Sequence, residues 1–251
     1  MRFSANLGFL WTDRPLPDAI RAAAAAGFDA VECHWPYDTP APDVARALAE
    51  TGLPMLGLNT RRGAPGENGL SALTGRDQEA RAAIDEALAY AAQIGAGCVH
   101  VMAGFATGPE AEAAFLANLG YATDAAASYG ITILIEPLNH YDAPGYFLTT
   151  TTQAARLIDS LGAPNLKLMF DCYHVQIMEG DLTRRLERMR PVIGHIQFAS
   201  VPDRGPPDAG EVNFAHVFAT IERLGWTSPL GAEYRPLAAT DDSLGWLTTL
   251  R

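Results

Sequence analysis

The stretch AASYGITILI, residues 126–135, ends a helix-forming run on a glycine and then opens a short apolar run. Alanine favours helix. Gly130 suits the left-handed backbone that closes helices. ITILI has the length and β-branching of a strand buried on both faces. The same joint recurs as AAGFDAV (25–31), ALAETGLPML (47–56), AQIGAGCVHV (92–101) and IERLGWTSPLG (221–231). Gly27, Gly52, Gly95, Gly162 and Gly225 stand at the equivalent closing position. Helix, glycine, strand, repeated along a chain, predicts βα units and a parallel sheet.

Outward from these joints, strands are predicted near 3–9, 29–35, 54–60, 98–104, 132–138, 166–172, 193–199 and 229–235. Helices are predicted near 16–26, 42–52, 76–95, 109–129, 150–162, 181–189 and 213–225, with a short last one after Asp241. Asp43 behind Pro42, the Thr149–Thr152 hydroxyls before Gln153, and Asn213 are helix-start signals. Eight units in 251 residues without a linker predict an α/β fold, a single (β/α)8 TIM-barrel domain over 1–251. The rival, an open doubly wound sheet, lacks a GxGxxG after its first strand. The segment RRGAPGENGLSALTGR (61–76) reads as a long lid or binding loop.

In such a barrel the active site is built at the carboxyl ends of the strands. Strand five ends at Glu136, strand six at Asp171, strand seven passes Gln197 and strand eight passes Glu233. Each spacing is about one βα unit, so the four side chains converge on one mouth. Three carboxylates share a dry pocket in ionised form only if a cation compensates them. An all-oxygen set suits Mg²⁺ or Mn²⁺ better than zinc. Any one of these residues alone is more often a plain strand-end polar group; four in register favour the joint reading. Asn6, Glu32, His34, Asn59 and His100 fall at equivalent heights on strands one to four. His174, just past Asp171, is a candidate to touch substrate. His195 lies two residues before Gln197, one layer deeper, and reads as a core residue.

The bulk numbers exclude much. A net charge of −11 argues against a nucleic-acid partner. No apolar run is long enough for a membrane span, and the N-terminus does not read as a signal peptide. Cys33, Cys98 and Cys172 form no metal or disulfide pattern, which suits a reducing, cytoplasmic setting. Lys167 is the only lysine and lies outside any P-loop pattern, which leaves Schiff-base and P-loop chemistry without support. Trp35, Trp226 and Trp246 leave a homo-oligomer open, although lone aromatics usually pack in the core.

The segments GFDAVECHWPYD, GLSALTGRDQEARAAIDEALAYA, IEPLNHYDAPGYFLT, FDCYHVQIMEGDLT, IGHIQFASVPDRGPPDAGEVNF and GAEYRP together resemble the hydroxypyruvate isomerase family of xylose-isomerase-like TIM barrels. The VHVMAG segment (99–104) is similar to the neighbouring 2-oxo-tetronate isomerase branch. The resemblance implies a divalent metal held by Glu136, Asp171, Gln197 and Glu233. It implies that Glu136 and Glu233 exchange protons with substrate, and that His174 and Arg204 contact it. Hydroxypyruvate would become tartronate semialdehyde through an enediolate; a 2-oxo-tetronate or a larger ketose epimerised at C3 is the alternative. Arg204 is the first choice for a substrate carboxylate and Arg61 or Arg62 the second; Asn6, Glu32, Asn59 and His100 complete the expected substrate contacts. Endonuclease relatives of this superfamily gather more histidines than this chain offers, and a scaffold without catalysis would not retain the full oxygen set.

Overall fold

The computed structural model describes residues 1–250; the last residue of the expected 1–251 domain lies outside them. Eight parallel strands form the barrel: β1 Phe3–Asn6, β2 Ala30–Glu32, β3 Gly57–Asn59, β4 Cys98–His100, β5 Thr132–Ile135, β6 Leu166–Asp171, β7 Ile193–Phe198 and β8 Leu230–Ala232. Pairing runs β2-β1-β8-β7-β6-β5-β4-β3. The seam between β2 and β3 closes through a Val31–Met55 bridge and backbone bonds such as Leu56 N–H to Val31 O at 2.7 Å. The eight predicted strands are all present but shorter, because side-chain-bearing loops begin early at the mouth.

The surrounding helices are α1 Leu16–Ala25, α2 Ala41–Thr51, α3 Asp77–Ile94, α4 Pro109–Ala127, α5 Thr151–Leu161, α6 Cys172–Met178, α7 Leu182–Met189, α8 Phe214–Arg223 and α9 Trp246–Thr249. The expected caps hold. Thr150 Oγ1 accepts from Gln153 N and Asn213 Oδ1 from His216 N, both at 3.1 Å. Gly52, Gly95 and Gly162 cap α2, α3 and α5 with φ of 71°, 69° and 65°.

One helix escaped the sequence reading. Residues 172–178, which read as the end of a strand and a loop, are α6. Its start is Asp171, whose Oδ1 accepts from Tyr173 N at 2.9 Å, so one residue both ends β6 and caps a helix. A seven-residue helix with Cys172–Val175 all buried shows too little polar periodicity to announce itself. Among the described residues, no helix is long and apolar enough to cross a membrane.

The apolar layer between sheet and helices is anchored by aromatic rings. Trp246 of α9 is fully buried and meets Phe3 and Phe198 edge-on, with centroids 5.0 and 5.4 Å apart. Its indole N–H donates to Tyr234 OH at 3.2 Å. The last helix thereby locks β1, β7 and the end of β8 together. Trp246→Ala is expected to cost about 3–5 kcal/mol, measured as the loss of unfolding free energy in urea titration.

Candidate active site

Every strand brings one polar side chain to the same end of the barrel. Asn6, Glu32, Asn59, His100 and Asp171 are the last residues of β1, β2, β3, β4 and β6; Glu136 and Glu233 directly follow β5 and β8; Gln197 is the penultimate residue of β7. His100 is therefore a strand-end residue rather than a mid-strand one. All of these except Asn59 are buried.

Arg204 organises the acids. Its Nη2 donates to Glu233 Oε2 at 2.5 Å and to Asp171 Oδ2 at 3.4 Å, and its Nη1 to Asp142 Oδ2 at 3.3 Å. The guanidinium is sandwiched between Phe9 and Tyr173, 4.8 Å from each ring centroid. Its backbone has φ of 53°, a left-handed conformation that is uncommon for a side chain of this size. The expected partner of a substrate carboxylate is thus already committed to protein carboxylates. Glu233 Oε1 faces His34 Nε2 at 2.8 Å and accepts from Asn6 Nδ2 at 3.0 Å, so both its oxygens are engaged.

The EPLNHYD loop sets His174. Asn139 Oδ1 accepts from Tyr141 N and Asp142 N, which fixes the amide; its backbone N–H and Nδ2 then both point at His174 Nδ1, at 3.0 and 2.8 Å. A ring nitrogen that accepts carries no proton, so in the neutral imidazole the proton is on Nε2. Nε2 lies 3.6 Å from Asp171 Oδ2 and 3.9 Å from Glu136 Oε1. Glu136, Asp171 and His174 offer ligand atoms within 4.8 Å of one another. With its proton on Nε2, His174 presents a donor to that cluster rather than a lone pair, which favours oxygens as the metal-facing set.

Beneath the mouth lies a second polar layer. Glu32 Oε1 accepts from Asn6 Nδ2 at 3.1 Å and Gln197 Nε2 at 3.0 Å, and Glu32 Oε2 meets His195 Nε2 at 2.5 Å. These four residues line a small enclosed cavity together with Asn59 and His100. The mouth itself is a cavity of about 250 Å³ open to solvent, bounded by His34, Trp35, Asn59, Arg62, His100, Glu136, His174, Arg204, Glu233 and Arg235, among others. Asn6 and Glu32, expected at the substrate, lie in the lower layer instead. Short strands with polar last residues gave the sequence reading no way to rank their depth.

The 61–76 loop, expected as a lid or binding loop, is pinned as a wall of the mouth, to which it contributes Arg62 and Asn68. Gly69 bridges Ala103, and Ser71 and Ala72 donate backbone N–H groups to Met102 O and Ala103 O. Arg61 turns outward to Glu86 on α3, at 2.7 and 3.0 Å. Arg62 turns inward over Trp35 and lines the mouth. His34, Asn139, Asp142, Phe9 and Arg235 belong to the site although none was singled out as a contact; only the density of polar residues after Glu136 hinted at Asn139 and Asp142. Glu211 accepts from Gln176 Nε2 at 3.4 Å.

The electrostatics are unbalanced. Burial, then the charges of Glu233 and Asp171, push Glu136 well above the carboxylate range. Burial lifts Asp171 to about 8 against the pull of Arg204. Burial would raise Glu233 too, but Arg204 and the His34 hydrogen bond outweigh it and hold that carboxyl below its ordinary range. His100 is lowered to about 3 by burial, and burial with Arg204 lowers His174 well below 6.5. Glu136 Oε1 and Gln197 Oε1 are buried without a hydrogen-bond partner. Surplus acids, two orphaned oxygens and an all-oxygen donor set fit a hard divalent cation.

The family described as xylose isomerase-like TIM barrel matches residues 20–250. The chain is 44% identical to a 2-oxo-tetronate isomerase of Cupriavidus necator, covering 98% of this chain and 97% of that protein. It is 37% identical to the hydroxypyruvate isomerase of Escherichia coli K12, with both chains covered in full. A solved structure described as AP endonuclease, family 2, from Brucella melitensis superposes with a TM-score of 0.96 at 40% identity, over 100% of this chain and 99% of that one.

The shifts give the metal-free protein a signed pH dependence. Glu136 and Asp171 hold protons in the folded state that the unfolded chain has released, so they make stability fall as pH rises, for Asp171 between 3.8 and about 8. His100 and His174 act oppositely, but only below their unfolded value of 6.5. Glu233 contributes no slope above 4.5. Between pH 6.5 and 8 the acids are unopposed, and metal-free protein is expected to lose about 1.4 kcal/mol per pH unit for each proton held. Thermal melting after chelation, with and without added Mg²⁺ or Mn²⁺, checks this; the cation should flatten the decline.

Proposed function

The chain belongs to the xylose isomerase-like TIM-barrel family and is an isomerase; from that premise we propose that it interconverts short hydroxy-keto acids and their aldehyde isomers at the Glu136–Glu233 mouth. One observation carries the reading: Glu136 is buried beside Asp171 and His174 with one oxygen unengaged, facing a mouth that admits a small molecule. For hydroxypyruvate, a proton leaves C3 and returns at C2, while the hydroxyl proton passes from O3 to O2. No oxidant or reductant is consumed.

Glu136, Asp171, Gln197 and Glu233 would hold the divalent cation. When bound, it supplies Lewis acidity toward the substrate's carbonyl and hydroxyl oxygens. The two glutamates differ. Glu136 has a raised proton affinity and a free oxygen, the properties of a proton carrier. Glu233 is held ionised by Arg204, His34 and Asn6. Glu136, ionised only when a cation compensates the cluster, would then take the proton from carbon first, with Glu233 as the partner for the return step. His174 Nε2–H is a fixed donor for a substrate oxygen. Buried and lacking any hydrogen-bond partner for either nitrogen, His100 is available for another.

Because Arg204 is committed to Glu233, Asp171 and Asp142, the substrate carboxylate falls to Arg62, whose guanidinium lies over the Trp35 ring at the mouth. The mouth, about 250 Å³, has room for a four-carbon acid. The 2-oxo-tetronate isomerase reading is supported by that room and by the 44% relative; hydroxypyruvate remains the simplest substrate with the same reacting atoms.

A turnover panel of hydroxypyruvate, 2-oxo-tetronates and free ketoses with Mg²⁺ or Mn²⁺ tests the proposal, and turnover of none of the acids would remove it. Glu136→Gln and Glu233→Gln are each expected to lower kcat by about 10²–10⁴-fold. Only Glu136→Gln should also abolish deuterium exchange at the substrate carbon, as followed by NMR in D₂O. Arg62→Met is expected to raise KM for acids while leaving any neutral ketose unchanged.

A further inference from the structure

We infer that Glu32, deep in the barrel, is a positioning residue that decides which end of the Gln197 amide faces the acid cluster. The inference rests on the reading of Gln197 as a cation ligand. Gln197 pairs in register with Asp171 on the neighbouring parallel strand, so the two side chains leave the same face of the sheet. An amide there has two ends to offer. Left alone, the carboxylates of Asp171 and Glu136 would attract its NH₂ group, because a carboxylate accepts hydrogen bonds and cannot donate them. That orientation would turn a hydrogen-bond donor, useless to a cation, toward the cluster.

Glu32 competes for the same NH₂ group from below. Its Oε1 accepts from Gln197 Nε2 at 3.0 Å, leaving Gln197 Oε1 buried and without a partner. The competitor is itself well held. Asn6 Nδ2 donates to the same oxygen at 3.1 Å, and His195 Nε2 meets the other at 2.5 Å. Asn6 is oriented in turn by Gly8 N–H, which donates to its Oδ1 at 2.9 Å. Space for the arrangement comes from Gly231, where a Cβ would lie 2.8 Å from Gln197 Cγ and closer still to Glu32 Oε1. The lower layer thus acts on the cation site without touching substrate: it turns an amide into an acceptor. Asn6 Nδ2 also donates to Glu233 Oε1 at 3.0 Å, but Glu233 is held by Arg204 and His34 independently of Glu32.

The test reads Mn²⁺ affinity directly, by EPR titration of the full-length protein with Mn²⁺ alone. Glu32→Met removes the acceptor and is expected to weaken Mn²⁺ binding by about 10–100-fold. Glu32→Gln keeps an acceptor oxygen for Gln197 when its own nitrogen turns to His195, and is expected to restore most of that affinity; a role in packing alone would treat Met and Gln alike. In a Gln197→Met background, Glu32→Met should cost less than about threefold more, since both act through one contact. Unchanged affinity in Gln197→Met removes the ligand reading itself. Weakened binding in Gln197→Met with full affinity in Glu32→Met, or additive losses in the double variant, overturns the role of Glu32. Should Glu32→Met fail to fold, the Gln197 side-chain NH₂ in Mg²⁺-saturated wild-type protein decides: protection from solvent exchange in NMR supports the bond to Glu32, and rapid exchange overturns it.

Discussion

The acids at the mouth outnumber the buried cations. Glu136, Asp171 and Glu233 are all buried at one end of the barrel, and Arg204 is the one buried arginine facing them. Carboxylates removed from water are tolerated when paired, hydrogen-bonded or protonated, and the site uses all three. Glu233 is paired, Asp171 caps a helix and shares the arginine, and Glu136 is left to hold its proton. Much of the surrounding structure serves this constraint. The left-handed backbone of Arg204, its two flanking rings and the anchoring Asp142 make a fixed charge of a side chain that is ordinarily mobile. Deeper in the barrel Glu32 has its own partner in His195.

The barrel is stratified accordingly. An aromatic layer around Phe3, Phe198 and Trp246 ties sheet to helices. A hydrogen-bonded layer around Glu32 fills the interior below the mouth. The reacting groups form the top. Solved relatives of this family carry the same barrel.

What could be read from the chain followed periodicity. Glycine after helix, apolar run, polar residue at the strand end repeats at nearly constant spacing, and that rhythm located eight strands and the four oxygen-bearing residues. Depth along the barrel axis has no such rhythm. Asn6 and Glu32 look no different in sequence from Asn59 and His100, yet they belong to the lower layer, because depth depends on the shear of the sheet and on which neighbour is a glycine. Pairing choices were equally hidden. Arg204 was recognisable as a mouth residue, but its commitment to Glu233 depends on a turn conformation that arginine seldom adopts. Helix α6 was missed because its first residue does the work of a strand end. His34 was legible only as a polar residue at mouth height; its bond to Glu233 has room because of Gly8, where any Cβ would collide with the imidazole ring.

The wall made by residues 68–72 is held by main-chain pairing to Met102 and Ala103, with Gly69 allowing the close approach. Backbone contacts are indifferent to most side-chain changes. The tract from Arg62 to Asn68 can therefore drift in evolution while the reacting ring keeps its spacing. A lineage holding this barrel could reshape the mouth by exchanging a handful of wall residues, each step leaving the ring of strand-end side chains intact. Diversification of substrate range is built into where the chain chose to use peptide groups instead of side chains.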